Sequence, residues 1–373
     1  MANEGDGPGP LAGVRVVEFA GIGPGPLAGM LLADLGADVV VVDRPVLSGF
    51  STAVPRALLI TNRGKRLTSA DLKAEEGRSA ARALVELADV LLEGFRPGTM
   101  ERLGLGPGRL LADNPRLVYC RITGWGQTGP RAGMAGHDIN YIAVTGALAA
   151  LGRAGGPPTP PANLLGDYAG GAMFAVTGVL AALFEAERSG RGQVVDAAMA
   201  DGVGALLAPM AGMVAAGRWR LERGVNWLDT GAPFYDVYRT RDDRYLAIGS
   251  LEDPFFAALA AGLGLTEAEC GDRWDERQWP ALRERITGIV STRSRDEWMA
   301  VFDGTDACVA PVLDLAEAER DPANRAREAF VASGDLAQPA PAPRFSRTPS
   351  RRPSPPPVEP VTLTSVLDGW RRG

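Results

Sequence analysis

The chain has 373 residues, of which 46% are hydrophobic, so it has enough apolar side chains for a large core and more than one domain. Its formal net charge is −6 at pH 7, which argues against a general nucleic-acid-binding protein, because such proteins need a concentrated basic face. No stretch of 18 residues is continuously apolar, and the first residues lack the basic start and apolar centre of a signal peptide, so we expect no membrane span and a cytoplasmic location.

The first elements follow a strand, turn, helix and strand order. Residues 14–20 form an apolar run that predicts a buried strand, and a glycine- and proline-rich turn follows at 21–26. Residues 27–35 have a helical pattern, and the β-branched run 38–43 predicts the next strand. This order is typical of the start of a parallel α/β sheet.

The same segment partly imitates a dinucleotide-binding fingerprint, because Asp43 lies about 20 residues after the glycines. The glycine spacing differs from that fingerprint, however, and Pro24 and Pro26 remove two backbone donors that a pyrophosphate would use. A nicotinamide site is therefore a minor alternative.

The alternation continues with a predicted helix at 75–87 and predicted strands at 89–93 and 117–123. The last strand leads into a glycine-rich loop, 124–130, and such loops at strand ends are frequent positions for functional sites. The fold class is therefore α/β, with a large Rossmann-like parallel-sheet domain.

His137 is the single histidine of the chain and lies just after this loop. An imidazole has an unperturbed pKa of about 6.5, so it both accepts and donates protons near neutral pH. A histidine held in the core by hydrogen bonds is the structural alternative. With one histidine and three scattered cysteines, namely Cys120, Cys270 and Cys308, we expect no metal site and no disulfide framework, and we expect the cysteines to pack inside the protein.

Asp167 ends the segment Asn163-Leu-Leu-Gly-Asp and precedes a predicted helix of small residues at 168–186. An aspartate at this place is either a helix N-cap, which accepts backbone N–H bonds, or a group with a chemical role. A strand at 193–197 and a second small-residue helix follow.

The second half of the chain no longer follows the alternation of strands and helices. Two strands within 231–248 predict an antiparallel hairpin, which opens a smaller domain, and the proline- and arginine-rich residues 338–360 are expected to form a surface loop. The predicted domain limits are 1–200 for the first part of the large domain, 201–226 for linker helices, 227–325 for the small α+β domain and 326–373 for a return segment that completes the large domain.

A basic segment, 62–66, contains Arg63 and Lys65. It is either a solvated turn or a clamp for a phosphate group.

Four segments, 20–26, 124–130, 136–141 and 163–167, together resemble those of the α-methylacyl-CoA racemases, which belong to the family III CoA transferases. The resemblance extends over nearly the whole chain. It implies a large α/β domain built from both chain ends, a small domain and an interlocked homodimer.

Carried over residue by residue, the resemblance implies that His137 and Asp167 are the two acid/base groups on either side of the substrate α-carbon. Glu252 then orients the histidine, and Asn163 is the partner of the aspartate. The acyl-CoA thioester substrate brings its own coenzyme A, so neither a separate cofactor nor a metal is expected. The residues expected to contact the CoA part are Arg44, Arg63, Lys65 and Arg96, and those expected to line the substrate site are Ile22, Gly23, Pro24, Tyr141 and Tyr235.

Elementary chemistry agrees with this assignment. Inverting a carbon beside a thioester requires removal of a weakly acidic proton from one face and return of a proton to the other, which two bases can do. Backbone N–H groups where a helix begins near Asp138 are expected to stabilise the enolate oxygen. Two alternatives stay open: a CoA transferase in which Asp167 is a nucleophile that forms an anhydride, and a nicotinamide-dependent or non-catalytic nucleotide-binding protein. His137 favours the racemase over the transferase.

Overall fold

The structure is a computed structural model that describes residues 7–46, 53–333 and 336–372. The chain divides into two compact units. Unit 1 comprises Met1–Thr145, Pro161–Leu206 and Arg325–Gly373, and unit 2 comprises Gly146–Pro160 and Leu207–Asn324.

Unit 1 alternates strands and helices over most of its length. Its elements are β1 (Arg15–Phe19), α1 (Pro24–Asp34), β2 (Asp38–Asp43), β3 (Arg66–Ser69), α2 (Glu75–Val85), β4 (Val90–Glu93), α3 (Thr99–Arg102), α4 (Pro107–Asp113), β5 (Val118–Thr123) and α5 (Asp138–Val144), followed, after α6 (Ala147–Ala150) of unit 2, by a π-helix (Leu164–Ala172), α7 (Met173–Ser189), β6 (Gln193–Ala198) and α8 (Met199–Leu206).

The six strands form one parallel sheet in the order β3-β2-β1-β4-β5-β6. At its centre, Val17 of β1 pairs with Val40 of β2 and Leu91 of β4, and all three side chains are buried. Strands covered on both faces need continuous apolar runs, which explains the four valines of β2. The predicted α/β class is confirmed, and the strand order is the doubly wound one in which the direction of winding reverses between β1 and β4.

Successive residues of the strands point to opposite faces, and each face has its own core. On one face, Val16 and Val39 pack with side chains of α1 and α7; on the other, Val17 and Val40 pack with side chains of α2 and α4. The second core also contains residues near the carboxyl end of the chain, which ties the two chain ends together in one unit.

The last part of unit 1 departs from the expected surface loop. Gln338 lies in a strand, because β10 (Phe330–Ser333) and β11 (Leu336–Pro339) pair antiparallel. A final helix, α16 (Leu363–Arg372), was not predicted. It buries Val366 and Trp370, and the indole Nε1 of Trp370 donates a hydrogen bond of 2.7 Å to Asp38.

Unit 2 contains the predicted hairpin. Its further helices and strands are α9 (Ala208–Ala215), β7 (Tyr235–Arg239), β8 (Tyr245–Gly249), α10 (Asp253–Leu263), α11 (Glu267–Cys270), α12 (Trp279–Val290), α13 (Arg295–Phe302), β9 (Val309–Pro311) and α14 (Leu315–Arg320). The short helix α15 (Pro322–Ala326) begins in unit 2 and ends in unit 1. The three strands pair antiparallel in the order β7-β8-β9 and pack on an aromatic core that includes Phe234 and Trp298. Residues 146–160, predicted to lie in the large domain, join unit 2, where Arg223 donates hydrogen bonds to the Gly156 carbonyl.

Among the residues that the structure describes, one helix is long and apolar enough to cross a membrane by length and composition. It is the continuous helix Leu164–Ser189, with 26 residues, and 44% of its apolar window is buried inside the protein. Core helices pass the same test, so this helix alone is weak support for a membrane span.

Candidate active site

The candidate site lies at the carboxyl ends of the central strands of unit 1. In doubly wound sheets the loops beside the reversal of strand order form a crevice in which ligands bind. Here β1 and β4 flank that reversal. The loop 20–23 follows β1, the loop 94–98 follows β4, and the loop 124–137 follows the next strand, β5.

His137 is exposed and immediately precedes α5, and two contacts fix its backbone. Its N–H donates to the Asn140 side chain at 3.0 Å, and the Tyr141 hydroxyl donates to the carbonyl of Gly136. Trp125 packs edge-on against Tyr141, with ring centroids 4.7 Å apart. His137 therefore lies exposed at the start of α5, and the alternative of a histidine held in the core does not agree with this position.

The glycine-rich loop has a packing reason for its glycines. A Cβ atom at Gly124 would lie 2.0 Å from the Tyr141 ring, and one at Gly136 would lie 2.7 Å from it. Tyr141 itself is only 7% exposed, so the prediction that it lines the substrate surface does not agree with its position. The Tyr141 ring packs against Gly124 and Gly136 and so supports the segment that contains His137.

Asp167 is not an N-cap. The π-helix begins at Leu164 with Asn163 in the cap position, so Asp167 lies inside the first turn. The Nδ2 of Asn163 donates to Asp167 Oδ2 at 3.1 Å, as expected for a partner of the aspartate. The π-helix packs closely against α8, because Gly170 and Gly202 approach so closely that a Cβ on either would clash with the other segment. Such π-helical turns often mark functional sites.

The electrostatic surroundings of Asp167 favour its protonated form. Burial raises the pKa of this carboxyl above the ordinary value of 3.8, and the charge of Asp138 raises the pKa further. The hydrogen bond from Asn163 and the proximity of His137 lower the pKa and offset part of this effect. A carboxyl group whose pKa lies nearer to neutrality is better able to return a proton as well as to remove one.

The turn before α1 borders the same carboxylate. Gly23 has φ 71°, and a Cβ atom there would lie 2.9 Å from Asp167 Oδ2. Ile22 beside it is 58% exposed, whereas Pro24 is buried. The structure therefore brings Gly23 to Asp167, presents an apolar side chain at Ile22 and uses Pro24 for packing.

The basic segment does not form an exposed clamp. Arg63 is 2% exposed and donates to both oxygens of Asp34, at 3.1 and 2.6 Å. The side chain of Lys65 is fully buried, and its Nζ lies 2.6 Å from Glu18 Oε2. The predicted contact of Arg63 and Lys65 with a CoA phosphate does not agree with this arrangement, because both charges are already neutralised inside the protein.

Arg44 and Arg96 are both exposed and follow β2 and β4, at the same edge of the sheet as the site. Arg96 is close enough to Tyr141 to lower the pKa of its phenol, which burial and Asp167 raise. These two arginines are therefore the predicted CoA contacts that remain available to an anionic ligand.

Glu252 and Tyr235 belong to unit 2. Glu252 is exposed and occupies the N-cap position of α10 without a side-chain capping hydrogen bond, and Tyr235 is the first residue of β7, with its side chain partly buried. No group of three or more potential metal-binding side chains occurs within residues 7–46, 53–333 and 336–372. Of the cysteines expected to pack inside the protein, Cys120 is buried but Cys308 is exposed.

One polar contact was missed by sequence reasoning. The Asp138 side chain is 6% exposed and accepts the backbone N–H of Asp167 at 2.7 Å, although only the backbone of Asp138 was assigned a role. Its position beside the single histidine was the available signal.

Comparison with known proteins shows the family to which the chain belongs. The family model described as CoA-transferase family III matches residues 11–359. The chain is 46% identical over 341 residues to the alpha-methylacyl-CoA racemase of Mus musculus and 43% identical to that of Homo sapiens, with 91% of this chain and 87% of the relative covered in each case. The solved structure of a CAIB/BAIF family protein from Brucella suis superposes with a TM-score of 0.81 at 29% identity, covering 97% of this chain and 99% of that one. The chain belongs to CoA-transferase family III.

Proposed function

We propose that this protein is a racemase that interconverts the (R) and (S) forms of 2-methylacyl-CoA thioesters. The observation that carries the proposal is the link between His137 and Asp167 at the carboxyl edge of the sheet: Asp138, directly after His137, accepts the backbone N–H of Asp167 at 2.7 Å. The charge of His137 also acts on the Asp167 carboxyl, whose pKa burial raises. The mouse and human relatives named alpha-methylacyl-CoA racemase support the same activity.

In this mechanism one base removes the α-proton and the other group returns a proton from the opposite side of the carbon. The first must be deprotonated and the second protonated in each direction of the reaction. A carboxyl group that is partly desolvated suits both states better than an exposed one. The enolate that forms between the two steps is flat at the α-carbon, so the face that receives the proton decides the configuration.

The enolate oxygen needs hydrogen-bond donors that are already in place. We assign this role to the N–H groups at the start of α5, at Asp138, because the N–H groups of Asn140 and Tyr141 are already occupied by the His137 carbonyl. Arg44 and Arg96 are exposed at the same edge and are proposed to contact the CoA phosphates. No separate cofactor is part of the proposal, since proton transfer beside a thioester needs none.

The active unit is proposed to be a homodimer in the cytoplasm, and Glu252 and Tyr235 are proposed to have the roles that the family resemblance implies for them. The surface of α9 supports association, because none of its mostly apolar residues is buried and monomers rarely expose extended apolar patches. Sedimentation should give a dimer at assay concentration, and a fully active monomer would contradict the proposal.

The decisive experiment incubates the protein with (R)-2-methylacyl-CoA thioesters of several chain lengths in D2O and follows deuteration and configuration at the α-carbon. We expect both deuteration and loss of enantiomeric excess without any added acceptor. Transfer of CoA to a free carboxylate such as succinate, with the α-proton retained, would instead establish the transferase reaction through an Asp167 anhydride.

A further inference from the structure

Asp138 connects the two groups that carry the proposed chemistry. It is the first residue of α5, directly after His137, and its side chain is buried. Its Oδ2 accepts the backbone N–H of Asp167 at 2.7 Å, so one side chain joins the start of α5 to the first turn of the π-helix. Its other oxygen, Oδ1, is buried and has no hydrogen-bond donor among the described residues.

The close approach of these two helices requires a glycine at position 166. A Cβ atom at Gly166 would lie 2.5 Å from Asp138 Oδ2 and 3.2 Å from Asp138 Cα. Both distances are shorter than ordinary contact, so any larger residue would push the carboxylate away from the N–H of Asp167. The hydrogen bond between Asp138 and Asp167 therefore requires glycine at position 166.

The backbone on both sides of this contact is already restrained. The His137 N–H is held by Asn140, and the Gly136 carbonyl is held by the Tyr141 hydroxyl. A shift of Asp138 would therefore be transmitted to His137 through the chain and to Asp167 through the hydrogen bond.

We infer that Asp138 is a positioning residue for the proton transfers: its carboxylate fixes Asp167 relative to His137, so that both groups face one α-carbon. The inference rests on the proposed racemase function. A displacement of about 1 Å between reacting groups costs on the order of 100-fold in rate, so one hydrogen bond at this place has a large effect on catalysis.

The test compares Asp138→Ala, which removes the acceptor, with Asp138→Asn, which keeps an oxygen acceptor and removes the charge. We expect Asp138→Ala to lower kcat by roughly 10- to 100-fold with little change in KM, because the proposed CoA contacts at Arg44 and Arg96 stay in place while the proton-transfer groups and the Asp138 N–H lose their alignment. Asp138→Asn should recover a large part of that loss.

A matched control exists at the opposite edge of the same sheet. Asp89 accepts the backbone N–H of Arg15 at 2.8 Å, a contact of the same kind that joins the amino ends of β4 and β1. Asp89→Ala should therefore lower thermal stability without lowering kcat in the folded protein.

The pH profile separates positioning from a general structural role. Asp167 faces the charges of Asp138 and His137 and the phenol of Tyr141. Because the Asp138 charge raises the pKa of Asp167, Asp138→Asn should move the acidic limb of the kcat profile to lower pH, whereas Asp89→Ala should leave that limb in place.

The outcomes are distinct. An Asp138→Ala protein with wild-type kcat overturns the inference while the racemase function stands, and so does an Asp138→Asn protein whose acidic limb is unmoved. Should Asp138→Ala fail to fold, the Asn variant and its pH profile decide alone. If the wild-type protein exchanges no α-proton, the proposed function falls, and this inference falls with it.

Discussion

Replacement of Gly23 by alanine tests how closely the turn before α1 is fitted to Asp167. The backbone of Gly23 has φ 71° and ψ −122°, a conformation that is costly for any residue with a Cβ atom. Strain of this kind costs about 1–3 kcal/mol of folding free energy. The new Cβ would also lie 2.9 Å from Asp167 Oδ2, whereas ordinary contact begins at 3.4 Å.

The carboxylate must therefore move by about half an ångström or more, and a displacement of 1 Å typically costs on the order of 100-fold in rate. We expect Gly23→Ala to lower kcat by about 10- to 100-fold and to melt at a lower temperature. The assay is the rate of α-deuteration of each enantiomer in D2O, measured well below the melting transition so that only folded protein is compared.

Gly25 provides the matched control two residues later. A Cβ atom there meets nothing within 4 Å, and the residue lies in the first turn of α1, where alanine is a better helix former than glycine by about 1 kcal/mol. Gly25→Ala should therefore keep full activity and unchanged or slightly higher stability. Wild-type deuteration by Gly23→Ala, or equal losses in the two variants, would refute the reasoning.

Three further predictions follow from burial. Asp167→Asn should abolish racemisation but raise stability at neutral pH, because the pKa of Asp167 is raised in the folded state and the ionised carboxylate therefore opposes folding. Below pH 3.8 the carboxyl is protonated in both the folded and the unfolded state, so the gain in stability should disappear there. A gain of the same size at neutral pH and below pH 3.8 would contradict this prediction. Lys65→Met should cost about 3–5 kcal/mol in denaturant unfolding by leaving Glu18 buried without a partner, and adding Glu18→Leu should recover most of that loss; a single variant as stable as the wild type argues against it. A thiol reagent should label Cys308 in the native protein and Cys120 only after denaturation, since Cys120 is fully buried and burial raises the pKa of its thiol; equal labelling rates would show otherwise.

The alternation of strands and helices was predictable from local sequence. The strand 38–43 has the predicted bounds, because a run of valines between two aspartates leaves little ambiguity. Helix α1 begins three residues earlier than predicted, since a proline fits the first turn of a helix, where its missing N–H is not needed. Local propensity and periodicity account for these elements without tertiary contacts.

Side-chain partners were less predictable. Arg63 and Lys65 stand in a basic run that indicates an exposed surface, and only the fold brings them to Asp34 and Glu18, which lie far away in the chain. Asp138 shows the same limit, because its partner Asp167 belongs to another helix. In contrast, His137 and Asp167 could be named as candidate acid/base groups from the sequence, because a single histidine and a family resemblance do not depend on contacts.

The position of α16 affects the order in which the protein acquires its structure during synthesis. Val366 and Trp370 complete the core on one face of the sheet, and the Trp370 indole binds Asp38 of β2. All of Leu207–Asn324, which takes on the order of 10 s to translate at about 5–20 residues per second, emerges before them. Until α16 is made, one face of the nascent sheet therefore still exposes the apolar side chains that Val366 and Trp370 cover in the finished protein.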